Sequence, residues 1–488
     1  MSKAFIAIDL GASSGRTMLG ILDNNKLTIK EINRFWNGPN NNDGVLRWDF
    51  SSLLSNIKNG IKLAESEHPI SSIAIDTWGV DFGLIDKDGA LLEEPVHYRD
   101  DRTSGLFEEA FKLVSKKEIY QKTGIQFMEL NTLYQCLALK LQNDKSYLEA
   151  SNLIFSPDLL SYMLTGKIYA EKTIASTSQF YNPSTQSWDI DLLQRLGIRT
   201  DILPELISSG SNVGYFEKIP VIAGAGHDTA CAFAAAPIES STRSAILSSG
   251  TWSLFGCELE KPLINDEALN EDFTNEVGIN NSIRFLKNMN GLWIIQELKR
   301  IWNKNGCSYS FSDMVTMAER ATPFKFFINP AHEMFFSPGD MENRIKNFCN
   351  QTGQDSPATH DEIVRTAYEG LAFLYADTFN SLKKITGIPF DNVHIVGGGS
   401  KNELLNQMTA NSTGLPVISG PIEATAIGNI LIQMIALGKI DDIENGRLLV
   451  RRSFRNEINN YTPVNRNKWI EAKNISSDDL ITIAKWNI

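Results

Sequence analysis

The chain opens with two short apolar runs, AFIAIDL (4–10) and TMLGIL (17–22), parted by a Gly/Ser stretch. A third run, KLTIKEI (26–32), follows an Asn-Asn pair at 24–25. Short apolar runs bounded by Gly, Ser and Asn predict strands, and an Asn pair suits a tight hairpin turn. The N-terminus is therefore expected to be a three-stranded meander and not a βαβ unit. From Ser51 to about Glu65 the apolar positions Leu53, Leu54, Ile57, Ile61 and Leu63 fall at helical spacing, with a serine as the expected cap. The apolar run SSIAIDTW (71–78) then predicts a buried strand reached by that crossover helix.

Around residue 240, AFAAAPIESSTRS ends an apolar segment with Pro237 and small polar residues, and a new strand, SAILSSG, begins at 244. We place a domain boundary there, giving domains 1–240 and 241–488. The second half repeats the theme of the first, since SAILSSGTWSLFGCEL is again strand, hydroxyl-rich turn, strand. Beyond it lie a helical GLWIIQELKRIWN, a long helix from about Asp361 to Lys384, the strand NVHIVGGGS, and helices starting near Asn402 and Glu423. Strands alternating with helices make the class α/β, and 488 residues fit two large domains.

The formal charge of −12, with no clustering of Lys and Arg, argues against a nucleic-acid partner, so any anionic ligand has to be gripped locally. The five Cys are scattered without CxxC spacing, which predicts reduced thiols in a cytoplasmic protein and neither a disulfide framework nor a zinc site. No basic start and apolar run precede AFIAIDL, and the apolar stretch 221–236 is broken by His227 and Asp228, so neither export nor membrane insertion is expected.

Chemistry concentrates in four places. GASSGR (11–16) follows the strand carrying Asp9, so its N–H groups and hydroxyls would surround phosphate oxygens, with Asp9 toward the accompanying metal. The same residues fit GxSxG with Ser13 as a hydrolase nucleophile; that elbow needs a helix after the turn, whereas TMLGIL reads as a returning strand. SSGTWS (248–253) is a second hydroxyl-rich turn at the matching place, and two such turns suit a phosphate clamp, although each alone reads as an ordinary β-turn. VGGGS (396–400) would let backbone approach an adenine or ribose. GAGHDTA (224–230) sets Asp228 among small residues, where a carboxylate can take a hydroxyl proton during phosphoryl transfer; the competing reading is a cap on a helix starting at Thr229.

DFG (81–83) has no HRDxxxxN loop downstream, and TGK (165–167) lacks the preceding glycine of a P-loop. Trp78 and Trp252 suit either a sugar site or a core, and the periodicity around Trp293 favours core.

Taken in order, AIDLGASSGR, IDTWGVDFGL, YRDDRT, GHDTA, LSSGTWSL, NMNGLW and VGGGSKNELLNQMTA resemble the FGGY carbohydrate kinases over nearly the whole chain. The resemblance implies two similar ribonuclease H-like domains of the actin, hexokinase and Hsp70 ATPase superfamily flanking a cleft. It implies ATP and Mg²⁺, with ATP contacts from Ala12, Ser13, Ser14, Gly15, Arg16, Thr251, Gln296 and Gly398, mainly in the second domain. Sugar contacts are implied for Gly79, His227, Asp228, Thr229 and Asn288, mainly in the first. Asp228 would be the proton acceptor and Asp9 an indirect metal contact. Within the family the motifs are most similar to members acting on L-rhamnulose at its 1-hydroxyl in rhamnose catabolism. L-fuculose, D-xylulose and glycerol are the alternative acceptors. A non-enzymatic ATP-dependent regulator would need no carboxylate at 228. The charged residues of YRDDRT and the polar tail after 463 are left without a role.

Overall fold

The computed structural model describes residues 3–42 and 44–474. The chain forms two compact units. The first comprises 1–239 with 258–286 and 423–455; the second comprises 240–257, 287–422 and 456–488. The two units are thus interleaved in sequence, and the first takes two segments from the second half of the chain.

The first unit is built on a six-stranded sheet in the order Asn212–Phe216, Ile219–Ile222, Ile70–Thr77, Lys3–Leu10, Ser14–Asp23, Lys26–Trp36. The expected meander is present. Lys3–Leu10 pairs antiparallel with Ser14–Asp23, and that strand with Lys26–Trp36. Asn24 and Asn25 both hold positive φ in the turn (47° and 58°), a conformation Asn tolerates and hairpins use. Lys3–Leu10 also runs parallel to Ile70–Thr77, with Asp9 level with Asp76.

The crossover helix spans Phe50–Glu67, and its cap is Asp49, not a serine. The helix begins one residue before Ser51, so the Asp49 carboxylate is the group placed to accept from Ser52 N, at 2.8 Å. Phe50, Leu53, Ile57, Ile61 and Ala64 are buried along one stripe, whereas Leu63, which the pattern also counted as apolar face, is 42% exposed. The helix Ala424–Ala436 packs against Asp228–Ala234 at Gly428, where any Cβ would run into the Cys231 carbonyl. Only glycine allows that close approach.

In the second unit, Ser244–Ser249 pairs antiparallel with Trp252–Leu259 and parallel with Asn392–Val396. Val417–Ser419 lies parallel to Asn392–Val396, and Asn459–Tyr461 closes the edge antiparallel. The long helix runs His360–Thr386, started by a Thr359/Glu362 capping box and stopped at Gly387 with φ +66°. The strand–turn–strand repeat read from the sequence is therefore present in both units.

None of the five cysteines is in a disulfide. No described helix is long and apolar enough to cross a membrane.

Candidate active site

In the first unit, the GASSGR turn joins two antiparallel strands, with Gly11 N donating to Ser14 O at 3.0 Å. Ser13 at its tip is exposed, and Ala12 and Ser14 are half-buried. No helix follows, so Ser13 is not on a nucleophile elbow. Gly15 is buried, and a Cβ there would collide with the Phe35 ring. Its missing side chain therefore serves packing beneath the turn.

Arg16 lies opposite Asp9 across this hairpin and pairs with both Asp9 and Glu423. Burial opposes the guanidinium's charge, but the two carboxylates outweigh it and hold the group above its ordinary value.

Asp76 is fully buried beside Asp9. Asn429 Nδ2 donates to its Oδ2 at 2.7 Å, and Gln433 Nε2 supports Asn429 Oδ1 at 2.7 Å. Burial first, then the neighbouring Asp9, pushes the Asp76 carboxyl well above the usual range, with Asn429 opposing.

The strand Ile70–Thr77 leads into a turn holding Gly79, which is half-buried. Val80 takes φ +68°, a conformation β-branched residues avoid. It is pinned there by Thr177 Oγ1, which accepts from Val80 N at 3.1 Å, and Thr132 Oγ1, which donates to Val80 O at 2.6 Å. Next to it Asp81 is buried and accepts from Trp48 Nε1 (2.7 Å), Trp78 Nε1 (2.9 Å), Tyr98 N (3.2 Å) and Gln135 Nε2 (3.0 Å). Burial pushes Asp81 up to about 6 against these donors. Trp48 and Trp78 stack at 3.9 Å. Trp78 is thus a core side chain anchored by its indole N–H.

The 224–230 segment runs beside the end of that strand, with Thr77 N donating to Gly226 O at 2.9 Å. Asp228 is the first residue of the helix Asp228–Ala234, and His227 is the residue before it. Asp228 therefore lies inside the first turn, and its Oδ1 accepts from Thr229 N (2.6 Å) and Thr229 Oγ1 (3.1 Å). His227 and Thr229 are buried, while 31% of the Asp228 side chain stays open. Dense surroundings push its carboxyl upward; His227 opposes this and Asp9 adds to it.

In the second unit, Thr251 and Gln296 meet: Thr251 Oγ1 donates to Gln296 Oε1 at 3.1 Å. Gln296 lies on the helix Trp293–Lys304, whose start is tied to the hairpin by Leu292 N to Gly250 O (3.0 Å) and Trp293 N to Thr251 O (3.2 Å). Trp293 and Trp252 are half-buried, so Trp293 is not the core residue its spacing suggested; Trp302, nine residues further, fills the core. Gly398 begins a short 3₁₀ turn, Gly398–Lys401. A Cβ on Gly399 would collide with Ser249, and Gly397 takes φ +86°, whereas a Cβ on Gly398 would meet nothing within 4 Å. The middle glycine alone presents bare backbone to open space. Asn288 lies half-buried on the strand Ile283–Asn290, in the part assigned to the second unit.

Each unit therefore gathers a polar constellation. The first holds Asp9, Arg16, Gly79 and His227 to Thr229; the second holds Thr251, Gln296 and Gly398. Residues 4–235 match the N-terminal domain of the FGGY family of carbohydrate kinases, and residues 245–437 match its C-terminal domain. The chain belongs to the FGGY family of carbohydrate kinases.

Among FGGY relatives, the rhamnulokinase of Bacteroides thetaiotaomicron is 42% identical over 97% of this chain and 98% of its own length. That of Bacillus subtilis is 42% identical over 92% and 94%. Among solved structures, the gluconate kinase of Lactobacillus acidophilus superposes with a TM-score of 0.81 at 16% identity, covering 99% of each chain. A glycerol kinase of Plasmodium falciparum with ADP gives 0.76 at 18%, covering 98% of each. These structural likenesses establish the two-domain α/β fold of the family.

Several buried groups behind the FGGY motifs were not singled out from the sequence. Asp76 had a signal, because the tetrapeptide Ile-Ala-Ile-Asp occurs at both 6–9 and 73–76. Glu171 had none. It lies 55 residues before Gly226, yet its Oε2 accepts from Gly226 N (3.0 Å), Thr173 N (2.9 Å) and Thr173 Oγ1 (2.5 Å), and Oε1 from Ser209 Oγ (2.6 Å). One buried carboxylate thus ties three segments together beneath the His227–Asp228 turn.

Proposed function

We propose that this FGGY kinase transfers the γ-phosphoryl group of ATP to the 1-hydroxyl of L-rhamnulose, giving L-rhamnulose 1-phosphate and ADP. The observation that carries the reading is the Asp228 carboxylate. It is the acid of the first unit's cluster that keeps an open face, and its pKa is raised toward the range of a useful base. Rhamnulokinases about 40% identical over nearly the full chain support the choice of sugar.

Asp228 accepts the hydroxyl proton as the oxygen attacks phosphorus. Gly79, His227, Thr229 and Asn288 orient the sugar, the first three on or beside the turn that carries Asp228. Ala12 to Arg16 contact phosphate oxygens, where the Arg16 guanidinium adds charge-assisted donors. Thr251, Gln296 and the open backbone of Gly398 take the rest of the nucleotide. Positioning and charge neutralisation supply most of the rate in phosphoryl transfer.

Asp9 raises the carboxyls of Asp76 and Asp228, and Arg16 is already shared between Asp9 and Glu423. Among the described residues no three such side chains are placed to hold a metal by themselves, so Mg²⁺ would be held chiefly by the nucleotide's phosphates, with Asp9 as the carboxylate facing it through water. When bound, Mg²⁺ neutralises charge on the transferring oxygens. The corresponding setting is a cytoplasmic enzyme of rhamnose catabolism.

A coupled ADP-release assay with ATP, Mg²⁺ and L-rhamnulose, L-fuculose, D-xylulose or glycerol tests the reading. The expected result is the highest kcat/KM with L-rhamnulose. A preference for another acceptor would replace the sugar and keep the kinase.

A further inference from the structure

The sequence singled out His227 and Asp228, but behind His227 stand two charged residues that no motif included. Glu276 and Arg284 lie on the antiparallel strands Thr274–Val277 and Ile283–Asn290, directly opposite one another in the ladder. Both are buried, Arg284 completely. A guanidinium in such a place is sustained by its partners. Arg284 Nη2 lies 3.0 Å from Glu276 Oε2, and Arg284 Nε donates to Val277 O at 3.1 Å. The same Nη2 lies 3.1 Å from His227 Nδ1.

We propose that Arg284 fixes the tautomer of His227, so that the imidazole stands beside Asp228 as a hydrogen-bond donor through Nε2. The argument rests on the chemistry of the guanidinium, which has five N–H donors and no acceptor. A hydrogen bond between Arg284 Nη2 and His227 Nδ1 therefore requires Nδ1 to be the acceptor. The single proton of the neutral ring is then on Nε2, which lies 3.4 Å from Asp228 Oδ1.

Glu276 Oε2 lies 3.2 Å from the same Nδ1. A carboxylate can only accept, so this contact by itself favours a proton on Nδ1, against the Arg284 contact; the role of Glu276 in this arrangement is to balance the buried cation through the 3.0 Å ion pair. The charged groups around the ring are thus Asp228 on its own element, and Glu276 and Arg284 on the two neighbouring strands. Asp9 acts on Asp228 from the first hairpin.

The consequence concerns the base. Burial and Asp9 disfavour ionised Asp228, and a donor aimed at its Oδ1 favours the carboxylate needed to accept a proton. Arg284 and Glu276 are positioning residues in this scheme, acting through His227 without touching the sugar.

The proposal deepens the reading of Asp228 as proton acceptor, and its test has two separate readouts. The first is nitrogen NMR of the full chain labelled with ¹⁵N-histidine at pH 8, with His227 assigned by comparison with His227→Gln. A pyrrole-like shift at Nε2 and a pyridine-like shift at Nδ1 are expected; the reverse assignment, or two pyrrole-like nitrogens, would overturn the proposal. This readout needs no activity and stands even if Asp228→Asn proves active, an outcome that would remove the base reading alone.

The second readout is the pH profile of kcat/KM in the paired variant Glu276→Met/Arg284→Met, which leaves no lone buried charge and no N–H donor facing Nδ1. Loss of the aimed donor should move the acid limb upward by about one pH unit. A uniform fall in rate with the limb unmoved, in a variant whose melting temperature matches wild type, would show a structural role and overturn the proposal. If that variant does not fold, Arg284→Lys serves, because a lysine also can only donate and should preserve the limb where Arg284→Met shifts it.

Discussion

Asp9 and Asp76 stand level on neighbouring parallel strands, each at the end of the same Ile-Ala-Ile-Asp tetrapeptide. Two carboxyls in such a position do not both ionise at low cost, and burial selects Asp76 as the one held protonated to higher pH. An asparagine imitates a neutral acid and keeps a carbonyl oxygen for Asn429. Asp76→Asn is therefore expected to fold with a melting temperature at pH 7.5 equal to or above that of wild type, measured by calorimetry.

Asp81 gives the clearest pH signature. Its carboxyl is raised to about 6, so in the folded protein it holds a proton that the unfolded chain has released. Its contribution is complete below about pH 4 and is lost as pH rises through 6, a change on the order of 3 kcal/mol for a fully buried group. Relative to Asp81→Asn, wild type should therefore lose stability between pH 4 and 7. Urea melts of both proteins across that range, followed by tryptophan fluorescence from Trp48 and Trp78, measure the difference.

The three glycines at 397–399 should separate by function. Gly399→Ala pushes a methyl into Ser249 and is expected to cost about 1–3 kcal/mol of stability, seen as a lowered melting temperature. Gly398→Ala meets open space, so its melting temperature should stay within about 2 °C of wild type while KM for ATP rises severalfold.

Arg16 joins Asp9 to Glu423, and in the proposed function it contacts phosphate as well. Arg16→Gln keeps some hydrogen bonding but removes the charge, and KM for ATP should rise about tenfold, the worth of one charge-assisted contact. KM for the sugar should change less than twofold, which initial-rate kinetics with each substrate varied in turn will show.

Much of the fold was legible because it rests on local rules. The meander followed from apolar runs and Asn24–Asn25, and the helix His360–Thr386 followed from its periodicity within two residues. The Asp49 cap was missed because a carboxylate two positions earlier competes with Ser51 for the same N–H groups. Trp293 was misplaced because it lies about half a turn round the helix from Trp302, off the stripe of Ile294, Ile295, Leu298 and Trp302 that meets the core. The interleaving of the units was not legible, because Glu423–Arg455 joins the first unit through long-range pairs such as Asn429 to Asp76. Glu171, Glu276 and Arg284 carry no local pattern at all. Their partners lie 55, 49 and 57 residues away at Gly226 and His227, so only the folded chain brings them to the site.

The most direct test of the central claim is steady-state phosphorylation of L-rhamnulose by Asp228→Asn beside wild type, with melting curves of both. The expected result is a folded variant whose kcat falls by about 10²- to 10⁴-fold with KM for ATP little changed. A folded Asp228→Asn protein that retains wild-type kcat would contradict the account.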